Sequence, residues 1–445
     1  MIVTQKVTDN VFGAKTLEEL REQAEKAFAE LSFPPKITVS EDGVELEIEE
    51  TQAGMTALVQ LGNICLMQRK PEEAEHYYRE AMEYDNENFI AITNVGAACM
   101  DRKQYDEAIG LFNRSIELNP YYLNAYYGLA LAYLNKEEQQ QAFAVCMEGL
   151  QKTMQVEGDA VVRNNMLKLM ISLAENLLKK IDCPALIERL KAECQAADGK
   201  EVLIAPDEEI EHSSILKTAL AHANGAHEIK FQPRLPFTDY LVIRQLIRLQ
   251  MVQHARAKGK NKVIEYTATN KANYNRRFGV FFSNLKTKMS QDRLNAFMEG
   301  IGEGFTYQLI NFVMDLIVED RIYFDYPELR PLQFLALTRQ EQESLAAIRP
   351  SKELELMPQT IVFASRMMIL VASLYFANLY GINIVNEYHG NEKEYRKVDE
   401  LYTEFVDFLE RDPAPGDEYE LVVHFAQKLG FEDLITIHGE SGLIL

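Results

Sequence analysis

From residue 55 the chain repeats itself every 34 residues, three times and without a gap. Small residues return at Gly62, Gly96 and Ala130, and alanines at Ala74, Ala108 and Ala142. Bulky apolar residues return at Tyr78, Phe112 and Cys146, small ones at Ala81, Ser115 and Gly149, and Pro120 closes the second unit. This spacing predicts three helical hairpins over 55–88, 89–122 and 123–156. Small residues let paired helices approach, and the large residue fills the groove between them. No such hairpin can bury its own apolar face, so neighbours must stack into a solenoid. Val161 to Ile181 and Pro184 to Ala196 continue the amphipathic pattern as capping helices, which extends the solenoid over 51–198. Gln195 to Lys200 reads as a linker.

The four columns in register resemble the tetratricopeptide repeat. That resemblance implies a concave face built from the first helix of each hairpin. Its positions here are Val59, Asn63, Leu66, Thr93, Ala97, Met100, Asn124, Tyr127 and Leu131. Relatives that grip chaperone tails use lysine and arginine on this face to hold a terminal carboxylate. None of these nine residues is cationic, so the face is expected to take a helix, an extended apolar segment or this chain's own C-terminal domain.

Residues 1–50 predict a small α/β leader. Leu17 to Leu31 is amphipathic, and Lys36 to Val39 and Val44 to Ile48 alternate around Glu41-Asp42-Gly43, a hairpin signature. Forty-six basic against 68 acidic residues leave a net charge of −22, which opposes general attraction to nucleic acid or an anionic membrane. Met1 to Lys15 is polar and lacks the apolar core of a secretory signal. The apolar run Met367 to Tyr380 is shorter than the roughly 20 residues a spanning helix needs and reads as a core helix. The cysteines, 65, 99, 146, 183 and 194, show no zinc-knuckle or redox spacing and are expected as reduced buried thiols. A cytoplasmic protein is expected.

Residues 199–445 do not repeat and predict a mainly helical α+β domain. Strands are expected at Val202 to Ile204 and His227 to Phe231, followed by a loop with Pro233 and Pro236. A long apolar helix then runs from Asp239 to Val252, with Thr238 as its N-cap. Arg244, Gln245 and Arg248 form one polar stripe on it, because residues four apart share a face. A buried helix with two cations on one face needs anionic partners opposite. This helix, with the strand and loop before it, resembles the metal-binding helix of zincin-like peptidases of the gluzincin group, found beside tetratricopeptide repeats in some bacterial proteins. That family carries His-Glu-x-x-His there and takes a third ligand, a glutamate, from a later helix. The resemblance puts Arg244 and Arg248 at the histidine positions, Gln245 at the glutamate and Glu319 or Asp320 at the third ligand. All three residues of the first helix depart from the motif, since guanidinium has no lone pair for a metal and glutamine is no general base. The resemblance therefore implies a catalytically inactive domain with no metal and no cofactor, whose two arginines occupy the vacated space and pair with Glu319 or Asp320.

Other signals are weaker. Nine cations between residues 254 and 288 face a single acid, Glu265, with aromatics between them, a pattern that also suits nucleic acid. Pairing with the acidic remainder of the chain is the competing expectation. Gly300 to Gly304 lacks the lysine of a phosphate loop and reads as a turn or a close helix contact. His227-Glu228 lacks a second histidine four residues on, so His227 and His222 are expected to be structural. Helices are expected within Pro358 to Val385, over Val398 to Arg411 and over Tyr419 to Leu429. The fold expected is mostly α: leader, repeat solenoid, then a mainly helical α+β domain. The function expected is a non-enzymatic protein- or peptide-binding scaffold with no membrane partner. A hydrolase with an unrecognised site and a nucleic-acid adaptor acting through 254–288 are the alternatives.

Overall fold

The computed structural model describes residues 2–51, 54–156, 160–220, 225–286, 290–349, 351–352, 354–382 and 391–440. The chain divides into two compact units, Met1–Leu173 and Ala174–Leu445.

The first unit opens with strand β1 (Ile2–Val7), the short helix α1 (Asp9–Phe12) and α2 (Leu17–Phe28), then β2 (Lys36–Ser40) and β3 (Gly43–Glu49). The hairpin forms as expected, and β1, which periodicity did not reveal, joins it to give an antiparallel sheet in the order β1-β3-β2. Val44, Leu46 and Ile48 are buried, every second residue of β3. Gly43 takes φ 117°, and a Cβ there would come within 2.5 Å of the Val7 carbonyl oxygen, so both the angle and the space call for glycine.

Three hairpins follow: α3 (Thr56–Met67) with α4 (Pro71–Tyr84), α5 (Phe89–Asp101) with α6 (Tyr105–Leu118), and α7 (Leu123–Asn135) with α8 (Gln139–Lys152). The repetition extends to backbone angles. Arg69, Lys103 and Glu137, again 34 apart, take φ of 61°, 61° and 65°. The amide of the next residue, Lys70, Gln104 or Glu138, then returns 2.9 Å to the carbonyl of Cys65, Cys99 or Tyr133 and closes the same turn each time. The columns act by size. A Cβ on Gly62 would lie 2.2 Å from the Tyr78 ring, and the Phe112 ring sits between Gly96 and Gly128, where added Cβ atoms would approach to 2.8 and 2.5 Å. The leader is not a separate body. Val7, Phe12, Leu20 and Phe28 share one buried cluster with Leu58, Leu61, Tyr78 and Phe112, and Gln60 Nε2 donates to the Ala27 carbonyl at 3.1 Å. It caps the solenoid at the end where an exposed repeat face would otherwise meet water.

Helix α9 (Ala160–Leu178) follows the repeats, and α10 (Cys183–Asp198) belongs to the second unit. The boundary thus falls at 173/174 instead of the expected 198/199, because α10 packs on the first long helix of the second unit. The expected linker 195–200 is mostly the end of α10, stopped by Gly199 in the left-handed conformation.

The second unit contains β4 (Val202–Pro206), β5 (Ser214–Lys217), β6 (His227–Phe231) and α11 (Thr238–Ala257). It continues with β7 (Lys262–Glu265), α12 (Ala268–Ser283), the 35-residue α13 (Gln291–Asp325), α14 (Arg330–Ala347) and α15 (Gln359–Tyr380). It ends with α16 (Glu392–Glu410), α17 (Glu418–Leu429) and β8 (Thr436–Gly439). In one sheet β6 pairs with β4 in parallel and with β5 antiparallel, and β7 pairs with β8 in another. Thr238 is the first helical residue of α11, not its cap: Phe237 takes that place at φ 59° and makes no side-chain cap. Gly300 to Gly304 lies inside α13, so the expected turn is absent. Of its glycines Gly302 makes the close contact, against Tyr266 and Tyr274. Helix α15 is long and apolar enough to cross a membrane, but it packs against α13, α14 and α16 and most of it is buried. The expected helical stretch beyond residue 382 lies outside the described residues.

Candidate functional site

Two groups of side chains carry the functional expectations. The first is the first-helix face of the repeats. Leu66 and Ala97 are exposed, and Asn63, Met100, Asn124, Tyr127 and Leu131 are half-buried. Val59 and Thr93 do not belong to the accessible face: both are buried, Val59 within the cluster that includes the leader. The Thr93 hydroxyl is used internally, 2.9 Å from the Phe89 carbonyl and 2.7 Å from Ser115 Oγ. Asn63 is held in place, its Oδ1 accepting from the Tyr78 hydroxyl at 2.8 Å and from Asn94 Nδ2 at 3.4 Å. What remains is a neutral face with aliphatic, thioether and phenol surface.

The second group lies in the C-terminal unit. Tyr240, Arg244 and Arg248 stand at successive i, i+4 positions of α11 and face Asp315 and Glu319, an i, i+4 pair on α13. Arg244 Nε lies 2.7 Å from Glu319 Oε1, with both side chains buried, and Arg244 and Arg248 each approach Asp315 at 3.7 Å. Burial works against the Arg244 charge, but the Glu319 and Asp315 carboxylates outweigh it and hold its pKa above the ordinary value. Burial pushes Glu319 up from the usual carboxylate range, and Arg244 pulls it part of the way back. Glu319 also accepts from the Tyr240 hydroxyl and, at 2.8 Å, from Gln333 Nε2. The expected pairing is thus present for Arg244 with Glu319. Arg248 pairs with Asp315 instead, and Asp320 turns away to accept from the Tyr375 hydroxyl. Gln245 points elsewhere, its Nε2 donating to Ser214 Oγ at 2.9 Å.

Asp315, Tyr240 and Gln333 escaped the sequence reading. A signal existed for two of them: Asp315 precedes Glu319 by four residues within the apolar stretch Phe312 to Val318 of α13, and Tyr240 precedes Arg244 by four. Gln333 lies on another helix, and no local pattern points to it. These residues do not fit a zinc site. The positions facing the carboxylates carry guanidinium groups, which cannot ligate, and among the described residues no three His, Cys, Asp or Glu side chains converge to hold a metal.

The cations of segment 254–288 are largely engaged. Arg256 grips Glu440 with Nε at 2.8 Å and reaches Asp198 at 3.3 Å. Lys260 pairs with Asp417 at 2.9 Å, Lys271 with Glu299, and Arg277 with Asp433 at 3.4 Å while lying over the Phe431 ring. These four cations tie the segment to Asp198, Glu299, Asp417, Asp433 and Glu440, in keeping with the expectation that it pairs with acidic residues of the chain, and Lys288 lies outside the described residues. His227 is structural: Nδ1 accepts the Ala219 amide at 3.1 Å, so the ring proton sits on Nε2, 3.0 Å from Asp198.

Family models of the tetratricopeptide repeat match residues 56–88 and, as a TPR repeat, 96–136. No curated protein matches the chain. Among solved structures, the first TPR of Spaghetti (RPAP3), bound to an HSP90 peptide, is 24% identical with a TM-score of 0.24, over 27% of this chain and 95% of that one. MamA is 22% identical with a TM-score of 0.21, over 28% of this chain and 80% of that one. Yeast Tom70 is 14% identical with a TM-score of 0.22, over 84% of this chain and 62% of that one. The sequence period, the stacked hairpins and the two family models coincide, and this chain carries tetratricopeptide repeats.

Proposed function

We propose that this chain is a non-enzymatic protein-binding scaffold that holds a polypeptide on the first-helix face of its repeats. The observation that carries the reading is how the repeat columns are used. The small and aromatic residues are consumed inside the stack, whereas Leu66, Ala97, Met100, Tyr127 and Leu131 stay wholly or partly accessible on one face. That face has no lysine or arginine, so the partner segment is apolar and not a terminal carboxylate. Affinity capture followed by mass spectrometry identifies the partner, and its binding is then measured with purified proteins. The variant Leu66→Asp with Tyr127→Ala should weaken it at least about tenfold while the thermal midpoint stays put. Undiminished binding by that variant refutes the proposal. Asn63 is a poor probe, because removing it also strips Tyr78 of its acceptor.

The C-terminal unit enters this reading as a peptidase-like body without peptidase chemistry. Support comes from guanidinium, carboxamide and guanidinium at 244, 245 and 248, with Glu319 and Asp315 spent on the arginines. Arg244→His, Gln245→Glu and Arg248→His together should let the purified protein take up zinc, and a triple variant that stays zinc-free counts against the resemblance. The chain is read as cytoplasmic. Its five cysteines are buried and free, and burial pushes the Cys146 thiol up to about 12, which suits reduced structural thiols.

A further inference from the structure

A half-open cavity of about 410 Å³ lies between α11, α13, α14 and α15 of the C-terminal unit, next to the arginine–carboxylate pairs. It lies within the size range of small-molecule sites, which start at about 300 Å³. Its walls are unlike those of a packing defect, which is apolar and small. They mix rings, those of Phe312, Tyr307, Tyr375 and Phe376, with the charged side chains Arg244, Asp315, Glu319 and Glu341, and the His212 ring is stacked on Tyr307 at 3.5 Å.

The charged lining is not closed on itself. Arg244 Nε and Glu319 Oε1 approach each other but complete no hydrogen bond, although both atoms are buried and both residues line the cavity. Glu341, only 3% exposed, accepts from the Ser373 hydroxyl, and among the described residues no cation pairs with it. Glu319 and Asp315 are matched by Arg244 and Arg248, which among the described residues leaves Glu341 as the lining carboxyl with no ion pair. An anion entering here meets that carboxyl, and a neutral molecule leaves it without a counter-charge. A cation satisfies Glu341 and gains the faces of the surrounding rings.

We infer that this cavity binds a small organic ammonium compound, its charged nitrogen against Glu341 and its apolar body among the aromatic side chains of α13 and α15. The inference is independent of the repeats and of any partner they hold. It carries a protonic signature. Burial first, and then the nearby Glu319, push the Glu341 carboxyl up to about 7, against the hydroxyl of Ser373, which pulls it down. The other charged and titratable groups lining the cavity are Arg244 on α11, Tyr307, Asp315 and Glu319 on α13, Tyr375 on α15, and His212 ahead of β5. An ammonium ligand draws the proton off Glu341, so affinity rises with pH through about 7 and holds until the amine itself deprotonates near about 10.

The test uses the full-length protein and three probes with one apolar body: hexylamine, hexanoate and 1-hexanol. Titration calorimetry at pH 8 should show hexylammonium binding roughly tenfold tighter than hexanol, with no hexanoate binding. At pH 6 the same ammonium binds more weakly and releases a proton, seen as a buffer-dependent enthalpy. Glu341→Gln keeps the shape and should bring hexylammonium down to the affinity of hexanol without changing hexanol. Ala372→Trp fills the cavity and should abolish both. Equal binding of the three probes, a preference for hexanoate, or an ammonium preference that survives Glu341→Gln overturns the inference. So does probe binding that persists in Ala372→Trp.

Discussion

Adding one methyl group at two glycines of the repeats should move stability in opposite directions. In Gly62→Ala the new Cβ falls 2.2 Å from Tyr78 Cε1, where ordinary contact starts at 3.4 Å, so ring or helix must give way by about 1.2 Å. Tyr78 cannot: it is fully buried, and its hydroxyl is tied at 2.8 Å to Asn63, the neighbour of the mutated residue. Overpacking of this kind costs about 1–3 kcal/mol and often more where nothing can relax. Alanine returns about 1 kcal/mol of helix propensity. A net loss of about 2 kcal/mol is expected at this backbone-tight site. Gly110 lies on the exposed face of α6 with nothing within 4 Å of an added Cβ, so Gly110→Ala keeps only the propensity gain. For a unit of 173 residues, at about 2–4 °C per kcal/mol, its calorimetric transition should drop by about 4–8 °C in the first variant and rise by about 2–4 °C in the second. A shift of the same sign in both would refute the claim that the glycine column exists to admit the aromatic ring.

Three further outcomes are expected. Lys103→Gly should stabilise the first unit by about 0.5–1 kcal/mol in urea unfolding, because Lys103 sits at φ 61° and glycine takes that angle without strain. Arg244→Met leaves Glu319 charged and unmatched in the interior and should cost about 3–5 kcal/mol, whereas Arg244→Met with Glu319→Leu should recover most of it. A double variant as unstable as the single would show that the pair itself is indispensable. Glu341 binds its proton more tightly folded, at about 7, than unfolded, at its ordinary value of 4.5, so it lowers stability as pH rises from 4.5 to 7 and no further. Glu341→Gln removes that loss, and its advantage over wild type should grow from near zero at pH 4.5 to about 3 kcal/mol at pH 8. An advantage that does not change with pH would mean that Glu341 is not protonated in the folded protein.

The repeats were readable because everything that defines them is local and recurrent. A small residue at 62 and a ring at 78 touch within one hairpin, and the chain states the contact three times. Even so, the pattern did not show that the leader caps the stack, which is why Val59 read as accessible. Val59 is buried in a cluster that includes residues 7 to 28, and no period links those to residue 59. The short strands failed for a related reason. β7 and β8 have four residues each and pair Val263 with His438 across most of the C-terminal unit. Four residues carry too little alternation to register, and their stability comes from a partner far along the chain.

The arginine stripe separates what physics requires from what resemblance adds. Two cations on a mostly buried helix demand carboxylates opposite, and that requirement alone leads to α13, where Asp315 and Glu319 present the matching spacing. The zincin-like resemblance pointed to the same helix and offered Glu319 or Asp320: Glu319 does pair with Arg244, whereas the Asp320 carboxyl takes the Tyr375 hydroxyl. It offered nothing for Asp315, which serves both arginines. Charge complementarity at i, i+4 was therefore the better guide to residues, and it explains the stripe without any vestigial metal. Complementarity also exposes what it leaves unbalanced. Once Glu319 and Asp315 are assigned to Arg244 and Arg248, Glu341 stands in the same cavity with a serine hydroxyl and, among the described residues, no cation of its own. A buried carboxyl in that position is either kept neutral by its surroundings or matched by something that binds, and these two states differ in how the protein responds to pH and to an amine.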